Sequence, residues 1–179
     1  QRADGEYPFE LQNGQLITEE KRIHTDLESI QGEADLFHTF QDESELNVKT
    51  YYFHSQRGLP GAVILYNKES DERLWDDNFF AQARYKKVFN PQWTLQAQGK
   101  YNYSWNKYED TGAEYVGGKQ TDTNRQKEYY LSASVLYQPV KGWSLSLSQD
   151  GFINKLHTNG TNSPEPTRYS SLTALNIRY

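Results

Sequence analysis

The chain has 179 residues, 35% of them hydrophobic and 15% aromatic, with a formal charge of −5 and a mean hydropathy of −0.95. No run of 18 apolar residues exists, which excludes a transmembrane helix, and the mild, mixed charge gives no basic footprint for nucleic acid. Cysteine is absent, which removes disulfide scaffolds, zinc ribbons and thiol catalysis. A membrane-spanning barrel stays open, because half of each of its strands faces a polar lumen. The excess of tyrosine, 14 residues against 8 Phe and 4 Trp, suits a surface where one end of the ring is dry and the other wet. The chain opens on Gln1, contains no methionine and shows no signal peptide, so an internal piece of a longer protein or a processed product is expected.

Residues 1–26 hold Asp4-Gly5, Pro8, Asn13-Gly14 and the charged run Glu19 to Arg22, turn signals that predict an external loop. Alternation then begins, with Ile30, Gly32, Ala34 and Leu36 against Gln31, Glu33 and Asp35, and predicts a strand over 28–40. Acidic residues facing inward are normal in a watery lumen and costly against lipid. A polar turn leads to a strand over 46–55, where Leu46, Val48, Thr50 and Tyr52 alternate with Asn47, Lys49 and Tyr51.

The next connection, 56–77, opens with Arg57-Gly58-Leu59-Pro60-Gly61. Gly58 and Gly61 are expected to supply unusual backbone angles and Pro60 to fix another, which makes a rigid corner. Its functional reading, with Trp75, is an external rim near a ligand entrance. The acidic run Glu69, Asp71, Glu72, Asp76 and Asp77 offers oxygen ligands for calcium, but Lys68 and Arg73 interrupt it and the spacing is not that of an EF-hand. A solvated loop is the favoured reading.

A strand over 78–89 follows, then the tight turn Asn90-Pro91-Gln92. The strand over 93–105 holds its phase longest: Trp93, Leu95, Ala97, Gly99, Tyr101, Tyr103 and Trp105 are apolar, aromatic or small, and Thr94, Gln96, Gln98, Lys100, Asn102 and Ser104 between them are polar. Soluble strands usually run about 5–6 residues. Strands over 127–138, 143–156 and 168–179 complete the series, with a phase slip at Asp150-Gly151 that predicts a bulge. The connections alternate short, long, short, long, short, long, as in an up-and-down barrel with its longer loops on one side of a membrane.

The expected fold is therefore all-β, an antiparallel up-and-down transmembrane β-barrel. Trp93, Leu95, Tyr101, Tyr103, Leu131, Val135, Trp143 and Leu145 are expected to face lipid. Gln96, Gln98, Lys100, Asn102 and Tyr130 are expected to face the lumen along a ligand path.

Four stretches sharpen this: Arg57 to Gly61 after a tyrosine-rich strand, Leu74-Trp75-Asp76-Asp77-Asn78-Phe79-Phe80, Glu128-Tyr129-Tyr130-Leu131-Ser132-Ala133, and Pro166-Thr167-Arg168-Tyr169. With them nearly the whole chain resembles the barrel of TonB-dependent outer-membrane receptors of the Bacteroides type. The resemblance implies about seven strands of a roughly 22-stranded barrel with a plug in its lumen. It also implies import of a scarce nutrient, such as a metal chelate, a cobalamin-like cofactor, an oligosaccharide or a peptide, across a Gram-negative outer membrane. Neither the plug nor the segment that engages TonB is present here, so energy coupling is implied only for a parent protein. The implied partners are the bilayer, the nutrient ligand, the TonB complex through that absent region, and a surface lipoprotein over the external loops.

Chemistry is thin in the sequence. His24, His38, His54 and His157 fit no local metal spacing, and no nucleophile elbow or phosphate loop occurs. No catalytic, cofactor or metal role is expected for any residue. The alternative readings are a complete small outer-membrane barrel acting as an adhesin, a structural protein or an embedded hydrolase, and a soluble β-sandwich binding module.

Overall fold

The computed structural model describes residues 1–61, 71–111, 117–160 and 165–179. Its described elements are β1 (Arg2–Ala3), β2 (Tyr7–Asn13), β3 (Leu16–Arg22), β4 (Leu27–Thr39), β5 (Glu45–Leu59), β6 (Glu72–Asn90), β7 (Trp93–Asp110), β8 (Gln120–Tyr137), β9 (Ser144–Thr158) and β10 (Thr167–Arg178). Eight form one antiparallel sheet in the order β1-β4-β5-β6-β7-β8-β9-β10, and β2 pairs with β3 separately. From β4 onward every strand pairs with its neighbour in sequence, so the short connections 40–44, 91–92 and 138–143 leave one end of the sheet. The longer ones, 60–71, 111–119 and 159–166, leave the other. No described pairing joins β10 to β1 or β4, and the sheet is open.

Register fixes which residues share a face, because directly paired residues of an antiparallel ladder point the same way. One ladder row runs Leu36, Val48, Ala83, Gly99, Leu131, Gly151 and Ser171. The adjacent rows of this dry face bring Leu95 beside Val135 and Leu147, and Tyr101 beside Tyr129. At the short-turn end Trp93 stacks on Tyr137 with ring centroids 4.2 Å apart, and Trp143 lies 4.9 Å from Tyr179. Toward the other end Tyr101 sits 5.1 Å from Tyr129 and 6.4 Å from Phe79.

Among the described residues no second layer packs on this dry face. No hydrophobic side chain is buried among the described residues, and Leu131 is 68% exposed. The accessible surface is 13046 Å², against about 9,000 Å² for a compact monomer of this mass. The excess is what a single sheet wet on both faces would expose.

Several expectations need correction. Residues 1–26 are not an irregular loop: β1 pairs with β4, and β2 and β3 make a hairpin. The strands flanking the long connections are longer than expected, with β5 running to Leu59, β6 starting at Glu72, β7 ending at Asp110 and β8 starting at Gln120. Beyond Trp105 the dry face turns charged, so the hydrophobic period stops while the hydrogen-bond ladder continues. There Lys107 lies 4.6 Å from the centroid of Trp75, and Glu109 pairs with Lys107 at 2.5 Å and Lys119 at 2.8 Å. These two ammonium groups, Lys107 first, hold the Glu109 carboxyl below its usual range.

The bulge expected at Asp150-Gly151 is absent, since the pairing with β8 and β10 runs unbroken through both residues. The apparent slip came from Phe152 and Leu156, which are apolar residues on the polar face. A register shift occurs instead between Val88 and Asn90, beside the tight turn. There the Asn90 side-chain oxygen accepts hydrogen bonds from the backbone N–H groups of Gln92 at 2.9 Å and Trp93 at 3.0 Å. The turn after β4 is braced similarly. Asp42 accepts from the Ser44 hydroxyl at 2.6 Å and from Lys87 at 2.6 Å, and these bonds, that of Lys87 foremost, hold its carboxyl well below the usual range.

Candidate functional site

The polar face of β4–β9 gathers the residues expected along a ligand path. Gln96, Gln98, Lys100 and Asn102 alternate along β7 on this face, and Tyr130 of β8 pairs directly with Lys100. Two ladder rows cross the middle of the face. One holds Glu33, Tyr51, Phe80, Asn102, Glu128 and Asn154, and the other Asp35, Lys49, Gln82, Lys100, Tyr130 and Phe152.

Sequence reasoning missed the aromatic pairs in these rows. Tyr51 stacks on Phe80 at 5.5 Å between centroids and 23° between planes, and the Lys100 ammonium sits 4.9 Å from the Phe80 centroid. Tyr130 packs against Phe152 at 4.6 Å and donates its hydroxyl to Asp150 at 3.0 Å. Lys49 lies 3.4 Å from both Glu33 and Asp35. The available signal was an aromatic residue at a polar-phase position, at Tyr51, Phe80, Tyr130 and Phe152. Such a residue is out of place on a purely solvating face.

Toward the long-connection end the face hollows into an open groove of about 440 Å³, lined mainly by Phe53, Asp76, Asn78, Ser104, Asn106, Asn124 and Gln126. Asn124 donates to Asn106 at 3.0 Å, which orients both amides. The surface therefore offers flat apolar rings beside amide, carboxylate and ammonium groups. Such groups can hydrogen-bond a polar solute and stack against its flat faces.

No family model matches the chain, and no curated protein matches its sequence.

The rim motif is placed differently from expectation. Arg57, Gly58 and Leu59 belong to β5, and Trp75 belongs to β6. Gly61 does adopt φ 61, but Gly58 owes its identity to close approach. A Cβ on it would lie 2.5 Å from the His24 carbonyl oxygen and 2.8 Å from the Asp26 carboxylate. The segment after β3 is tied down here: the Gly58 N–H donates to the Asp26 carbonyl at 2.9 Å, Arg73 pairs with the Asp26 carboxylate, and Arg22 donates to the Gly61 carbonyl. Pro60 lies in the same corner, just past β5.

Of the acidic run, Glu69 lies outside the described residues, as does Lys68. Glu72, Asp76 and Asp77 lie in β6, and Asp76 and Asp77, as consecutive strand residues, point to opposite faces. They do not converge on one cation. Asp77 instead accepts from Tyr52 at 3.1 Å and meets His54 at 2.8 Å, and Asp76 lies 3.7 Å from Arg57. Among the described residues no three His, Asp or Glu side chains stand close enough to hold a metal ion.

Proposed function

We propose that this chain is part of the wall of a transmembrane β-barrel in a Gram-negative outer membrane, in a receptor that binds and imports a scarce polar nutrient with TonB-supplied energy. The observation that carries the barrel reading is the bare dry face, an apolar field with no packing partner among the described residues and with aromatic rings toward both ends. Trp93 and Tyr103 stand ten residues apart on β7, roughly 33 Å along a strand, or about 25 Å once tilted by about 40°. An aromatic-edged band of that height fits a bilayer.

The receptor part of the reading rests on the motif resemblance and on the polar face, whose aromatic pairs and amide-lined groove suit solute passage. The TonB complex and a surface lipoprotein remain partners of the parent protein. The test is fractionation of the intact protein with electrophoresis before and after heating, followed by growth on candidate nutrients with and without an energised TonB system. Outer-membrane location, a heat-dependent mobility shift and TonB-dependent growth support the reading. A protein in the aqueous fraction with no shift overturns the barrel, and unchanged growth on deletion for every nutrient class overturns the receptor.

A further inference from the structure

The dry face is not electrically uniform, and on β8 and β9 its charged residues are all basic. Lys127 pairs directly with Lys155, and one pleat period further on Arg125 pairs directly with His157. All four side chains are exposed. Like charges directly opposite one another are destabilising in a sheet, so this arrangement costs stability unless an anion occupies it. His157 has a carboxylate partner in Glu165 at 2.7 Å, but Arg125, Lys127 and Lys155 make no ion pair with a described residue. On this face of β8, β9 and β10 there is no Asp or Glu at all, in a chain whose formal charge is −5.

The position of the block names its partner. The adjacent row on the same face is Tyr101, Tyr129, Ile153 and Tyr169, the last aromatic row inside the Tyr103 edge of the dry band. Lys127 and Lys155 stand one pleat period further, level with Tyr103 at the edge of the band, and Arg125 lies one period beyond that, roughly 7 Å further along the strand, on the side of the long connections. Aromatic rings mark the level of the lipid headgroups, and basic residues just outside them meet headgroup phosphates. Opposite Cβ atoms are about 5 Å apart and successive same-face residues about 7 Å, so the heads of Arg125, Lys127 and Lys155 can converge on one phosphate.

We propose that Arg125, Lys127 and Lys155 form a binding site for the phosphate of a membrane lipid headgroup in the leaflet on the long-connection side. The proposal rests on the barrel reading and adds a partner to its outer surface. Trp105 pairs with Arg125 on the same face and serves as an internal reporter.

The experiment reconstitutes the full-length protein in phosphatidylcholine bilayers and compares tryptophan quenching by brominated phosphatidic acid and brominated phosphatidylcholine. Preferential quenching by the phosphatidic acid is expected. In K127Q/K155Q that preference should fall by about 30-fold, a factor of about five per cation near an anionic surface, with phosphatidylcholine quenching unchanged. W105F should remove the preferential component. Equal quenching by the two lipids in the unsubstituted protein, a preference that survives K127Q/K155Q, or abolition of the preference by inorganic phosphate at millimolar concentration would each overturn the site. Quenching by neither lipid would overturn the membrane reading itself, and the two failures are thereby told apart.

Discussion

Strands β7 and β8 each have two halves that share a face but differ in the medium they suit. In one half that face carries Leu95, Ala97, Gly99 and Tyr101 beside Val135, Ala133, Leu131 and Tyr129. In the other half the same face carries Trp105, Lys107 and Glu109 beside Arg125, Thr123 and Thr121. The ladder is continuous across the junction, so backbone pairing does not distinguish the halves. The difference lies in what each half would touch, and it shows that strand length and hydrophobic length are separate quantities in this protein.

The sharpest way to break that comparison is to place the same charge in both halves of β8. In lipid vesicles Leu131→Arg is expected to destabilise by about 2–4 kcal/mol, and Thr123→Arg on the same face by no more than about 1 kcal/mol. Denaturant unfolding of the reconstituted protein measures both. Equal costs would mean that water bathes both halves alike, because an arginine at a site as open as Leu131 costs little in water.

A smaller effect is expected where the charged half meets the amino-terminal segment. Gly58→Ala drives a Cβ against the His24 carbonyl and the Asp26 carboxylate, an overpacking cost of about 1–3 kcal/mol. The Gly58 N–H bond to Asp26 should weaken, which hydrogen exchange of that amide reads directly. Unfolding of the β8 and β9 ladder should be unaffected, and a change there would show that the two regions are coupled.

At the opposite end of the sheet the Asp42 turn gives a pH test. A carboxyl with a depressed folded-state pKa stabilises the fold above its unfolded value of about 3.9, and the contribution is lost only as pH falls through the lower folded value. Exchange protection of the Ser44 amide should therefore persist at pH 4 and fall at more acid pH, and in Asp42→Asn it should be weaker and independent of pH over this range. Protection lost above pH 4 would contradict the bracing by Lys87 and Ser44. The smallest effect is at Glu43, whose φ of 60 is strained for a residue with a Cβ. Glu43→Gly should raise stability by up to about 1 kcal/mol, visible as a small rise in melting temperature.

The strand phases of β4–β10 were legible because a period of two over ten or more residues is a strong signal, and the register joins Gln96, Gln98, Lys100, Asn102 and Tyr130 on one face as expected. The ends of β6, β7 and β8 were not legible, because their ladder continues through Lys107, Glu109, Arg125 and Asp76, where no apolar period remains. Phe152 misled for the converse reason: an apolar ring on the polar face looks like a slip until its contact with Tyr130 is seen. The hairpin of β2 and β3 escaped notice because turn residues at Asn13-Gly14 mark a hairpin and a loop equally well.

Sequence alone determined that this is a β protein with one dry and one polar face and with connections sorted by length, since alternation and turn chemistry act between near neighbours. The tertiary structure decided what depends on registry across strands. It set Lys127 opposite Lys155, Phe80 beneath Lys100, and Gly58 under the His24 carbonyl. Residues 28, 20 and 34 positions apart meet there only because ladder hydrogen bonds and the packed corner fix their alignment, and no local pattern encodes that distance.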